Sequence, residues 1–265
     1  MSRNAGRAAI EAAPPVESSE MSFITPSDFV DLPSRGLFYR TGHPLHGEDA
    51  VEIKHMTAKE EDILTSESLI KKGIVFDKLL GSITLTKGVN PSSLLSGDRS
   101  AMILQARKAG YGEIYKTNAV CPVCGAHNSQ EHDLNDAKIN DWQEYCAEND
   151  ISIEDGLFKF SLPVTKYMVS VRPLLGADEL EFNKKKEPSL VDQMAQYVVE
   201  INGETEPTTL RRAVESLPAF DAKFIRRNVK SMMPNISMMH EFECKTCGFD
   251  TEMEVKINPD FFWFD

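Results

Sequence analysis

No stretch of this 265-residue chain stays apolar for long; the longest hydrophobic runs are a handful of residues, against the roughly 20 that a membrane-crossing helix needs. A bilayer span is therefore not expected. The signatures of common enzyme sites are missing too. There is no Gly-x-x-x-x-Gly-Lys-Ser/Thr loop, no Gly-x-Gly-x-x-Gly turn, no Gly-x-Ser-x-Gly elbow and no His-Glu-x-x-His pair. Positive charge is in short supply: 29 Lys and Arg stand against 41 Asp and Glu, for a net charge of -12, so a phosphate-neutralising surface for nucleic acid is not expected. Cysteine is sparse, and an odd count of 5 with no export signal argues against a disulfide framework.

What remains is an ordinary soluble composition, 41% hydrophobic and 26% charged, with enough length for one large or two smaller cores. Residues 1–22 read as a flexible leader rich in Ala, Pro, Glu and Ser that buries little. It has no sustained apolar segment of the secretory kind, so a cytoplasmic address is expected.

The chemistry sits in the cysteines. "NAVCPVCGA" at 118–126 and "ECKTCGF" at 243–249 follow one plan, Cys-x-x-Cys-Gly. Two intervening residues let a tight turn aim both sulfurs at one ion, and the following glycine can take positive φ as the chain turns back. Cys121, Cys124, Cys244 and Cys247 supply the four thiolates of a closed tetrahedral site, so a structural Zn²⁺ is expected. The flanks read as hairpins. "TEMEVKI" at 251–257 alternates Met253, Val255 and Ile257 with Glu252, Glu254 and Lys256, and "ISMMHEFE" at 236–243 can pair with it. The first pair is flanked by "GEIYKTNAV" and "HNSQEHDL". Because 119 residues separate Cys124 from Cys244, where a local site has ~15–20, the ribbon would be discontinuous.

Other readings of the same thiols are a thiol-disulfide oxidoreductase, towards which Pro122 points, and buried thiols without metal. A ribbon also raises nucleic-acid binding, against which stand Glu241, Glu243, Asp250, Glu252 and Glu254 with only Lys245 and Lys256. Cys146 has no twin and reads as an inert buried thiol. His127, His132 and His240 lie near the pairs, but four cysteines already fill a site. A metal so enclosed has no open position for water, and the chain reads as non-enzymatic.

The fold expected is α+β: a mainly helical body with short β-hairpins and a discontinuous four-cysteine zinc ribbon. It divides into a leader (1–22), a mainly helical block (23–112), the ribbon (113–134 with 236–258), a hairpin-plus-helices insertion (135–235) and an aromatic tail (259–265). Thr57 and Glu60 have capping-box spacing at a helix start. Helices are expected over 66–83 and 98–109. A hairpin is expected about the turn from Pro163 to Lys166, and a helix from Leu190 through Met194, Val198 and Ile201 to a stop at Gly203. Phe220, Phe224, Ile225 and Val229 form one apolar stripe in "FDAKFIRRNVKSMM".

These segments in order, "LPSRGLFY" at 32–39, "IKHMTAKEEDIL" at 53–64, "GDRSAMILQARKAGYGEIY" at 97–115, a Cys-x-x-Cys and the finish "FFWF" at 261–264, resemble the baseplate hub proteins of contractile-tailed bacteriophages of the T-even type. The similarity runs from residue 23 to the end. It implies a hub component or assembly factor made in the cytoplasm of the infected host, with a place in the virion tail baseplate open to it. The partners implied are other baseplate hub or tail proteins, with no nucleic acid and no membrane, and oligomerisation within the assembly is compatible with it. Under that resemblance two partner-binding candidates follow: Phe261, Phe262, Trp263 and Phe264, whose alternative is packing onto the chain's own core, and Leu37 with Phe38.

Overall fold

The computed structural model describes residues 25–183, 188–255, 257 and 259–262. The leader, together with Trp263 and Phe264, lies outside the described residues.

The described chain opens on an antiparallel hairpin of β1 (Ser27–Asp31) and β2 (Ala50–Lys54). Alternation buries Val30, Val51 and Ile53 and leaves Phe29 73% exposed. The connection carries "LPSRGLFY", which turns through Arg35 and Gly36 at φ 49 and 67. A Cβ on Gly36 would stand 2.5 Å from the amide nitrogen of Glu48, so this turn requires glycine on both conformational and steric grounds.

The capping box between Thr57 and Glu60 starts α1 (Ala58–Leu64). The single helix expected over 66–83 is instead two, α2 (Glu67–Lys71) and α3 (Val75–Ile83). Gly73 at φ 71 breaks them apart, because positive φ has no place inside a right-handed helix. The helix expected over 98–109 is longer, α4 (Ser96–Tyr111), and stops at Gly112 with φ 83. It buries Met102, Ile103 and Ala106 at the centre of the main core.

Two more strands follow, β3 (Ile114–Val120) and β4 (His127–Asp133), then the short β5 (Lys138–Ile139) and α5 (Trp142–Glu148). A four-stranded antiparallel sheet comes next, built from β6 (Ser152–Glu154), β7 (Leu157–Ser161) and β8 (Met168–Val171). After α6 (Gly176–Asn183) and α7 (Leu190–Tyr197), β9 (Val198–Ile201) completes that sheet at its edge. The helix expected to reach Gly203 therefore ends at Tyr197. Four-residue spacing carries on into Val198, but that β-branched segment pairs with β8, Val198 opposite Val171 and Ile201 opposite Val169. In α8 (Pro207–Ser216) and α9 (Ala219–Met232), Leu210, Val214 and Ile225 face inward, while Phe220 departs from the expected stripe at 63% exposed. The chain closes with β10 (Ile236–Ser237), β11 (Met239–Glu243), β12 (Asp250–Glu254) and a 3₁₀ turn at Pro259–Phe262.

The architecture is α+β. One large core draws on residues from Val30 to Phe262, and a small one gathers at the cysteines. Trp142 ties the first turn to the four-stranded sheet: its indole N–H donates to the carbonyl of Pro33 at 2.9 Å, and its ring stands edge-on to Phe38 and Phe158.

Candidate metal centre

Two hairpins carry the cysteine pairs at their tips. β3 pairs with β4 in register Val120 opposite His127, and β11 pairs with β12 in register Glu243 opposite Asp250. The tips repeat each other bond for bond. Cys121 N–H donates to Ala126 and Gly125 N–H to Cys121, and likewise Cys244 N–H donates to Phe249 and Gly248 N–H to Cys244. Gly125 and Gly248 have φ of 72 and 69, with nothing within 4 Å of an added Cβ. Backbone conformation rather than space calls for glycine at both.

The tips meet. Sulfur to sulfur, Cys121 is 3.7 Å from Cys247 and Cys124 is 3.6 Å from Cys244. All four Sγ atoms lie within 4.8 Å of one another. A disulfide would need about 2.05 Å. Four sulfurs about a tetrahedral zinc at ~2.3 Å stand ~3.8 Å apart, so the donor set fits such an ion in number, chemistry and spacing. Cys121 and Cys244 are buried with Phe242 in the small core, against Ala126, Phe249 and Met253, while Cys124 and Cys247 face outward.

The electrostatics of the cluster point the same way. Backbone amides of Cys247 and Thr246, with further bonds from Cys124 and Asn128, draw the Cys244 thiol down to about 6. At Cys247 the amide of Phe249 also pulls downward, but desolvation and the three neighbouring sulfurs outweigh it and push the thiol up to about 12. Four thiols this close do not all ionise unaided. A divalent cation held among them would let them do so.

Asn128 was not singled out by the cysteine spacing, yet it braces the junction. Its Nδ2 donates to the Ala126 carbonyl at 3.0 Å and lies 3.6 Å from the Cys244 sulfur, and its Oδ1 accepts from the Lys245 amide at 3.0 Å. The signal available was a polar residue on the inward face of β4, in alternation with Gln130 and His132. Of the nearby histidines, His127 is exposed, while the rings of His132 and His240 lie 3.9 Å apart between the hairpins; none joins the four sulfurs. Cys146 is buried away from them, and burial pushes its thiol up to about 11.

The partner-binding candidates divide. Phe261 and Phe262 pack inside the chain's own core, Phe261 against Tyr115 and Phe262 against Phe76 and Tyr111. Phe38 is buried as well, and Leu37 beside it is 47% exposed. Among the described residues no helix is long and apolar enough to cross a membrane.

A family model described as T4 bacteriophage base plate protein matches residues 38–263, a span that includes both cysteine pairs. No curated protein and no solved structure matches the chain.

Proposed function

The chain belongs to the T4 bacteriophage base plate protein family, and on that premise we propose that it is a non-enzymatic component or assembly factor of the baseplate hub. It would act by presenting protein-binding surfaces on a fold closed by a structural Zn²⁺ at Cys121, Cys124, Cys244 and Cys247. The observation that carries this reading is that the family match spans most of the chain and includes the two hairpins whose tips converge.

The non-enzymatic part rests on the donor set, since four thiolates complete a tetrahedral shell and leave no position for a substrate or a water. The zinc would act by linking two hairpins that are distant in sequence, so that its binding energy becomes folding energy. A nucleic-acid role finds little support in the second hairpin, where Glu241 lies opposite Glu252 and Glu243 opposite Asp250. Made in the infected cell, the protein would reach its partners, other hub or tail proteins, during tail morphogenesis.

Mass spectrometry of purified virions and of baseplate intermediates tests this. Recovery in both is expected of a hub subunit, and recovery in intermediates alone of an assembly factor. Absence from both sinks the proposal.

A further inference from the structure

Strands β4 and β11 are the diverging arms of one interrupted ladder. Just below them β5 and β10 pair antiparallel, Lys138 opposite Ser237 and Ile139 opposite Ile236. Followed back from Lys138 the chain leads into β4, and followed forward from Ser237 it leads into β11. Among the described residues the ladder does not continue there: as strands, β4 pairs with β3 and β11 with β12. The arms meet again at the cysteine cluster. Between the ladder and the cluster lies a cleft of about 680 Å³.

Ser129, Glu131 and Asp133 line the cleft on one side, and Met239 and Glu241 on the other. Leu134 N–H donates to Glu113 and Cys121 N–H to Ala126, which places the even-numbered residues of β4 in the bonds to β3. By the alternation of an antiparallel pair, the amides and carbonyls of Ser129, Glu131 and Asp133 face the free edge. Val255 N–H to Met238 and Cys244 N–H to Phe249 set the same phase on β11, leaving Met239 and Glu241 facing its free edge. Among the described residues these two backbone edges have no strand partner. Side chains span the gap instead, with His240 Nε2 3.1 Å from Gln130 Oε1.

The rims are acidic. Glu131, Asp133, Asp136 and Glu241 line them, with Lys245 at the tip as the cation among the described lining residues. Of these carboxylates only Glu131 has an ion-pair partner among the described residues, Lys116 at 2.8 Å. Unpaired edges ordinarily invite another copy of the same chain. Here a second copy would bring its own acidic strands and a net charge of -12, so charge complementarity favours a different, basic chain.

We propose that this cleft is a slot for an extended segment of another baseplate protein. That segment would add as a strand between β4 and β11 and carry Lys or Arg at the alternate positions that face the rims. Main-chain hydrogen bonds supply affinity in such strand addition, and alternate side chains supply specificity. The filled slot joins the two hairpins into one five-stranded sheet, running continuously from the β5–β10 ladder to the cysteine cluster. The inference rests on the baseplate role above.

Hydrogen exchange at the amides of Ser129, Glu131, Asp133, Met239 and Glu241, in the isolated protein and in purified baseplates or intermediates, tests it. Rapid exchange in isolation and strong protection in the assembly are expected. Glu131→Pro removes an amide that faces away from β3 and has no strand partner among the described residues, so it should keep the thermal midpoint of the parent while recovery in baseplates falls about tenfold. Gln130→Pro removes an amide bonded to β3 and should unfold the hairpin, which checks the strand phase. The slot is overturned if these amides stay unprotected in assemblies that contain the protein, an outcome that leaves the baseplate role standing. It is also overturned if pure protein is protected in a concentration-dependent way, which means a second copy. Protection in isolation that vanishes when residues 1–22 are deleted means the chain's own leader, and overturns it too. Absence of the protein from every assembly overturns both slot and role.

Discussion

The guanidinium of Arg107 donates through Nε to the carbonyl of Phe261 at 3.0 Å and through Nη1 to Gly112 at 2.9 Å. A cation near the end of α4 thus holds the chain just beyond the second hairpin against the root of the first. It stacks near the rings of Tyr111 and Tyr115, so the two hairpins are joined at their roots here as well as at their tips.

Removing that lower clasp should cost stability at once. Phe261→Ala empties a site that is 0% exposed and is expected to lower the unfolding free energy by about 3–5 kcal/mol. Arg107→Ala leaves the carbonyl of buried Phe261, and that of exposed Gly112, short of a donor and should cost about 1–3 kcal/mol, most of it at Phe261. Urea melts of the two variants read both. A Phe261→Ala midpoint equal to the parent's would show that the aromatic segment is not part of the core.

Metal content is the direct check on the cysteine cluster. Native protein should carry one Zn²⁺ per chain by elemental analysis and react slowly with a thiol reagent. A strong chelator should release the metal and expose 4 reactive thiols, with Cys146 as the fifth appearing only in denaturant. Cys244→Ser should lose the metal and several kcal/mol of stability with it. Protein purified under metal-replete conditions that holds no stoichiometric metal would refute the site.

The tip glycines make a paired prediction. Gly125→Ala and Gly248→Ala add a methyl where there is room but where φ is 72 and 69. Each should cost about 1–2 kcal/mol through backbone strain alone, seen as weaker retention of metal in a chelator competition. Unequal losses at the two positions would show that the hairpin tips are not equivalent.

Acid should weaken the helical block through one carboxylate. Glu60 is fully buried, and burial works to raise its pKa. Bonds from Lys54 at 2.8 Å, Ser82 at 2.6 Å and the Thr57 hydroxyl and amide outweigh it and hold the carboxylate at about 2. A pKa depressed on folding contributes stability that is present above the unfolded value of roughly 4.3 and is lost as pH falls through the folded one. The parent should lose on the order of 3 kcal/mol across that window. Glu60→Gln should be less stable at neutral pH and lack this part of the slope, a difference that urea melts at several pH values will show.

Some of this was legible in the chain. The Thr57 and Glu60 spacing marks a real capping box, and the alternation of Phe158 and Phe160 with Val169 and Val171 marks a real hairpin. Short-range rules succeed at such places because the partners are a few residues apart. They failed at Val198, where helical spacing runs on into a strand, because pairing with Val171 is a contact that spacing does not encode. They were silent on Arg107 and Asn128, whose partners lie far along the chain.

The sequence by itself determined two tight thiol turns of one design, because two intervening residues and a glycine act within a single bend. It also determined an acidic chain that belongs to the T4 bacteriophage base plate protein family. Only the tertiary structure decided that the two turns share one site, that β4 and β11 part to leave two strand edges open, and that Phe261 and Phe262 face inward. Each of those outcomes depends on contacts between residues distant in the chain, where packing and main-chain pairing outweigh local preference.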